Sequence, residues 1–228
     1  MDVDVFVTGG TGYLGRPLIQ TLLRRGYRVR ALVRRGSEHK LPEAALPVIG
    51  DALDAATFAS AIPLAATVVH LVGTPHPNPS KAAEFQRVDL ASIRATVSAA
   101  RRAGARHLVY VSVAHPAPVM RAYIEVRQEG ESLVRASGIA ATILRPWYVL
   151  GPGHRWPYLL IPVYGLLRML PWTREAADRL GLVTREAMIA ALAGAVDTPP
   201  HAPVRVMDVP AIRAAGMTAA PIYTTVGR

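Results

Sequence analysis

The chain has no cysteine in its 228 residues. That absence excludes disulfides, thiolate nucleophiles and cysteine-based zinc sites together, and it fits an intracellular, cytoplasmic protein. Charged residues, at 18%, fall below the usual share of about a quarter. Acidic residues are the scarcer sign: 16 Asp and Glu stand against 26 Lys and Arg, for a net charge of +10. The basic residues form only short pairs, Arg24-Arg25, Arg34-Arg35 and Arg101-Arg102. No helix-turn-helix, zinc-finger or RNA-recognition signature accompanies them, so no nucleic-acid partner is expected. An apolar run of about 20 residues, as a membrane span requires, is missing too. The opening MDVDVFVTGG does not read as a signal peptide. The seven histidines show no HExxH or paired spacing, so no metal is expected. A Gly-Lys-Ser/Thr phosphate loop and a G-x-S-x-G elbow are both absent, which argues against a Walker-type nucleotide site and an acylating serine.

What is present is apolar material. Half of the residues are hydrophobic, enough for one large core, or for one domain with a small appendage. Strand-like runs fall at 3–8, 27–33, 46–51, 67–73, 107–113 and 141–146. Helical patterns at 15–25, 52–62, 81–103 and 119–137 separate them. Strands alternating with helices predict an α/β fold with a doubly wound parallel sheet covered on both faces. The boundaries are a dinucleotide-binding core over 1–150, a small cover segment over 151–203, a last core strand over 204–212 and a tail over 213–228. Within the cover, 157–171 is apolar apart from Arg168 and carries three prolines. It reads as a lid on a pocket; a second reading is a contact with a partner chain or a membrane surface. A helix is expected at about 173–196, and the tail as mobile or packed on a partner. The oligomeric state is not legible.

The first strand runs into TGGTGYLG, residues 8–15, which opens the first helix. Gly9 or Gly10 permits the tight turn, Gly12 lets a pyrophosphate approach the backbone, and Gly15 allows close helix–strand packing. Phosphates would then rest on the helix N-terminus, so Gly9, Gly10, Thr11, Gly12, Tyr13, Leu14 and Gly15 are candidate cofactor ligands. The second strand ends Val33-Arg34-Arg35-Gly36, without the acid that binds an NAD ribose. Arg34 and Arg35 suit a 2′-phosphate instead, so NADP(H) is preferred and NAD(H) is the alternative. In the simpler reading both are surface arginines. Asp51, with Ala52, ends the third strand where adenine would sit, and Asp51 can equally cap the next helix.

Together TGGTGYLG, LVRR after strand two, GD after strand three, VSV ending strand five, Tyr-x-x-x-basic on the next helix and SGIAATILRPWYVLGPG resemble one family. The chain looks like an atypical short-chain dehydrogenase/reductase of the NAD(P)H-binding, NmrA-like or NAD-dependent epimerase/dehydratase-related group. It is also similar to the 39 kDa-subunit-like members of respiratory complex I. The resemblance covers about residues 1–155. It implies a Rossmann-like fold, a dinucleotide cofactor and an unidentified small-molecule substrate of carbonyl or sugar-like type.

In active members of that family a tyrosine exchanges the proton, a lysine four residues on binds the nicotinamide ribose, and a serine ending strand five orients the carbonyl. The resemblance carries these roles to Tyr123, Arg127 and Ser112. It places His70, Leu71, Val72, Gly73 and Pro146 beside the cofactor, and Trp147, His154 and Trp156 toward substrate. Arg127 stands where the lysine is expected. It supplies a cation but cannot release a proton at physiological pH, and Asp89 falls where many relatives have asparagine. The alternative is a non-catalytic dinucleotide-binding redox-sensor or assembly protein with a degenerate Tyr-x-x-x-Arg site. Glu125, Glu129 and Glu131 read as the solvated side of the Tyr123 helix, pairing with Arg121, Arg127 or Arg135.

Overall fold

Short β-branched runs in this chain alternate with longer amphipathic ones, and each takes the structure its pattern favours. The computed structural model describes residues 4–151 and 179–218. Seven strands form one parallel sheet: β1 (Asp4–Thr8), β2 (Arg28–Val33), β3 (Leu46–Ile49), β4 (Thr67–His70), β5 (His107–Val111), β6 (Ala140–Leu144) and β9 (Val204–Met207). Their order is β3-β2-β1-β4-β5-β6-β9, and β7 (Tyr148–Leu150) pairs with β8 (Leu182–Thr184) in a separate parallel ribbon. Parallel strands need crossovers, and helices supply most of them. These are α1 (Gly15–Arg24), α2 (Ala91–Arg102), α3 (Arg121–Ala136), α4 (Arg185–Asp197) and α5 (Val209–Thr218).

Successive strand residues face opposite sides of the sheet, so the core is double. Val5 and Val7 of β1 face α1 and α4, with Leu18, Ile19, Leu22, Met188 and Leu192. Phe6 faces the other way, toward Phe58, Ile93, Val126 and Val134 on the α2–α3 side. Helix α1 places Leu18, Ile19 and Leu22 on its buried stripe. Its exit turn uses Gly26 at φ +83°, a left-handed conformation that glycine adopts without a Cβ penalty.

Four expectations need correction. Residues 52–62 are two short 3-10 turns, Ala55–Thr57 and Ala59–Ala61, rather than a helix. The helix expected at 173–196 is not continuous: Arg179 is helical, β8 intervenes at Leu182–Thr184, and α4 starts at Arg185. The segment 204–212 is a four-residue strand followed by α5, which runs to Thr218 and buries Val209 and Ile212. The first part of the tail, expected to be mobile or packed on a partner, is helical through Thr218, and Gly216 fits closely against Ala187 of α4; residues 219–228 lie outside the described residues. Fourth, Glu131 is buried at 4% exposure instead of solvated. Its carboxylate takes Nε (2.8 Å) and Nη2 of Arg145, with Arg135 and His115 each 3.5 Å away. Burial alone would push Glu131 up, but the hydrogen bonds and charge of Arg145 carry it below its usual range.

Candidate functional site

Strand β1 pairs with β2 on one side and β4 on the other. The segments leaving β1 and β4 therefore part, and a crevice opens at the carboxyl ends of the strands. Its near wall is the glycine loop. Gly9 adopts φ +75°, and a Cβ there would stand 2.8 Å from the Leu71 carbonyl carbon. Gly9 thus sets the turn and the close approach of β4's exit. A Cβ on Gly15 would run into the Gly9 carbonyl oxygen and stand 2.7 Å from Gly10 Cα, so the start of α1 packs directly on the turn. Gly10 is buried against Ile19. Gly12 is exposed and would meet only Gly9 O, at 3.2 Å, which leaves its outer side open to a ligand. No side chain caps the N-terminus of α1 and no acid stands in its first turn. The positive end of its dipole is accordingly available to an anion.

The cleft measures about 680 Å³ and joins Gly9, Gly12, Tyr13, Leu14 and Gly15 to Leu71, Val72 and Gly73 beyond β4. Ser112, Tyr123, Arg127, Pro146 and Trp147 complete the same cavity. The structure thus brings together the glycine loop, the serine after β5 and the tyrosine–arginine pair of α3. Thr11 is exposed on the loop. Arg34 and Arg35 are exposed at the end of β2, and Asp51 and Ala52 follow β3, all outside the cleft lining. Asp51 Oδ1 accepts the Leu53 amide at 2.9 Å, making a turn, whereas Asp54 caps the Ala55–Thr57 turn. His154, Trp156 and the 157–171 stretch lie outside the described residues.

His70 does not face the cleft. Its Nδ1 sits 3.0 Å from the hydroxyls of both Thr8 and Thr96, inside the α2 side of the core. Burial, with the Arg127 charge nearby, pushes its pKa down to about 3, so it is a neutral core residue.

Around Tyr123 the helix α3 presents Arg127 one turn on, as a period of 3.6 requires. The Tyr123 ring packs on Phe85 with centroids 4.9 Å apart, and the Arg127 guanidinium carbon lies 5.1 Å from its centre. Arg127 is buried. Its Nη2 donates to Asp89 Oδ1 at 2.6 Å and its Nη1 to the Val111 carbonyl at 2.9 Å. Asp89 Oδ2 in turn accepts the Thr74 amide at 3.0 Å and the Thr74 hydroxyl at 2.6 Å. Burial opposes the Arg127 charge, yet the Tyr123 and Tyr110 phenols and Asp89 raise its pKa above the ordinary value, so it stays protonated. A side chain at position 73 would collide with Arg127 Nη2, so glycine there makes room for the pair.

The wider helical turn that carries Asp89, Phe85–Leu90, has π-type bonding, a feature frequent at functional sites. Sequence reading missed Thr74, Val113, Met120 and Tyr148, which also line the cleft. Their sole signal was adjacency to motif residues. Met120 has φ +62°, a conformation costly for a non-glycine residue, at the turn that launches α3.

Fold and cleft together define a dinucleotide-binding protein of the Rossmann-like class. Residues 9–155 match the NAD(P)H-binding family, and the chain belongs to that family. Among curated relatives, it is 31% identical over 207 residues to a ceramide reductase of Caulobacter vibrioides, covering 90% of this chain and 64% of that protein. It is 34% identical over 175 residues to a 3-diazoavenalumate denitrifying reductase of a Streptomyces species, covering 65% and 57% respectively. The chain therefore spans less than two thirds of the length of these relatives. A short-chain dehydrogenase/reductase superfamily structure from Agrobacterium tumefaciens with bound NAD superposes with a TM-score of 0.65. The two are 19% identical, and the match covers 92% of this chain and 81% of that one. No helix among the described residues is long and apolar enough to cross a membrane.

Proposed function

We propose that the chain is the dinucleotide-binding part of an NADP(H)-dependent oxidoreductase, or of an epimerase/dehydratase-type enzyme, that acts on a carbon–oxygen bond. The observation that carries this reading is the placement of Tyr123 and the open glycine loop on two walls of one cleft. When bound, the dinucleotide supplies or accepts a hydride. Gly9, Gly12 and the start of α1 would hold its pyrophosphate, and Leu71, Val72, Gly73 and Pro146 would flank it. Arg34 and Arg35 would meet the 2′-phosphate, with Asp51 and Ala52 near the adenine. Tyr123 exchanges a proton with the substrate oxygen and Ser112 orients that oxygen. Trp147 closes the substrate side.

The two relatives named as reductases support this reading. A second reading, dinucleotide binding without catalysis in a sensor or assembly protein, is favoured by the committed state of Arg127. Following NADPH consumption over a panel of ketones and aldehydes, in wild type and Tyr123→Phe, separates the two. Loss of turnover in the variant with NADPH binding retained supports catalysis. Identical traces from both proteins remove Tyr123 from it.

A further inference from the structure

Among the described residues, Lys, Arg, Asp and Glu give the wall of the cleft beyond the glycine loop no net charge. Arg127 is the only Lys, Arg, Asp or Glu among the described residues that line the cavity. Asp89 lies fully buried with Oδ1 2.6 Å from Arg127 Nη2, so the pair carries a net charge of zero. Arg127 Nη1 is taken by the Val111 carbonyl. Two nearby arginines are also engaged: Arg145 by Glu131, and Arg185 over the Tyr13 ring at 5.5 Å and beside Glu186. The remaining described surface on this side is mostly apolar or aromatic, with Val113, Met120, Trp147 and Tyr148, and its polar members are Thr74, His76, Asn78 and Ser112. An anion placed against such a wall loses its hydration and gains no unpaired cation from the described residues that line it, which is unfavourable. An apolar group loses nothing and gains contact area there.

From this we infer that the substrate is uncharged where it meets the cleft: an apolar ketone or the matching secondary alcohol, rather than a nucleotide-sugar, phosphate ester or carboxylate. The inference rests on the proposed reading of Tyr123 beside a dinucleotide. In the reducing direction the carbonyl carbon would gain a hydride from the reduced nicotinamide, which is left oxidised. The carbonyl oxygen gains a proton from the Tyr123 hydroxyl, and Tyr123 recovers one from water. Asp89 acts on specificity through Arg127, by cancelling a charge that would otherwise attract anions. It is a positioning residue that does not itself meet substrate.

The test uses two probes of nearly equal shape, 4-methylacetophenone and 4-acetylbenzoate, with the whole chain saturated by NADPH. Binding is read from the thermal midpoint and from nicotinamide fluorescence. The neutral ketone is expected to bind at least tenfold more tightly than the carboxylate. In Asp89→Asn, which leaves a net positive charge on the wall, that preference is expected to shrink severalfold, a change that loss of stability alone does not produce. Equal or tighter binding of the carboxylate to wild type overturns the inference, as does binding of neither probe. A folded Asp89→Asn protein with unchanged preference overturns the role given to Asp89. Should that variant not fold, the wild-type preference decides the substrate class. Failure of NADPH itself to raise the midpoint is a different result, and it strikes the dinucleotide reading instead.

Discussion

Arg127 Nη2 and Asp89 Oδ1 stand 2.6 Å apart, with side chains 7% and 0% exposed. A pair this dry stabilises only while both members are present, because a lone buried charge has no solvent to turn to. The pair also joins four parts of the fold: the exit of β4 through Thr74, the π-type turn through Asp89, α3 through Arg127 and the end of β5 through Val111. Removing one partner, by Asp89→Ala or Arg127→Met, is expected to cost about 3–5 kcal/mol. The double variant is expected to cost clearly less than the sum of the two. Urea unfolding of the four proteins measures the coupling, and simple additivity would show that the contact contributes nothing of its own.

The glycine loop allows packing to be separated from binding. Gly15→Ala forces a methyl onto the Gly9 carbonyl and Gly10 Cα, backbone atoms that cannot swing aside. It is expected to lower the thermal midpoint and remove nucleotide binding together. Gly12→Ala meets only one atom, at 3.2 Å, on an exposed residue. Its midpoint without ligand is expected to stay near wild type, while the stabilisation by NADPH falls. In wild type that stabilisation amounts to about 2.7 kcal/mol at one hundred times the dissociation constant. Thermal unfolding of both variants with and without NADPH checks this, and a full NADPH shift in Gly12→Ala would remove Gly12 from the phosphate site.

These two sites mark where sequence is legible and where it is not. Val5-Phe6-Val7 followed by glycines, and Leu18, Ile19 and Leu22 at helical spacing, declare strand, loop and helix because local pattern and burial agree. Tyr123 and Arg127 lie four apart on one helix, so their proximity follows from periodicity. Asp89 and Arg127 are 38 residues apart, and no local rule reveals that one neutralises the other. The same holds for Glu131, which reads as part of the solvated side of α3 but which tertiary contacts with Arg145 after β6 draw inside. Residues 52–62 have apolar spacing suited to a helix, yet Asp54 and Thr57 bond their own backbone and break the segment into turns.

Two buried histidines make the fold acid-sensitive above the carboxylate range. Burial first, and then neighbouring arginines, lowers His70 to about 3 and His107 to about 4, from 6.5. Below pH 6.5 the unfolded chain binds protons that the folded one refuses, so stability falls as pH falls through this window. At pH 5 the loss is about 2 kcal/mol per histidine, from one and a half pH units at about 1.4 kcal/mol each. Glu131 acts in a lower window. Its folded pKa lies below the usual carboxylate value, so its contribution is present at pH 5 and is lost only as pH falls further. Urea midpoints at pH 7 and pH 5 are expected to differ accordingly, and unchanged midpoints would mean that the histidines become protonated without unfolding.

The proposed preference for NADP(H) turns on Arg34 and Arg35, which are exposed just after β2. A 2′-phosphate there would receive charge-assisted hydrogen bonds from a guanidinium, each contributing about 1.5–3 kcal/mol. No acid closes β2 to favour a free ribose hydroxyl: the strand ends at Val33 and the chain continues Arg34-Arg35-Gly36. Replacing both arginines by alanine is expected to weaken NADPH binding by about tenfold or more, since 1.4 kcal/mol is one factor of ten, and to leave NADH binding within about twofold. Added salt is expected to weaken NADPH binding to wild type more than to the double variant, because an exposed ion pair is screened. Equal losses for the two nucleotides would assign the arginines to the shared pyrophosphate. Tighter binding of NADH than NADPH to wild type would reverse the preference itself.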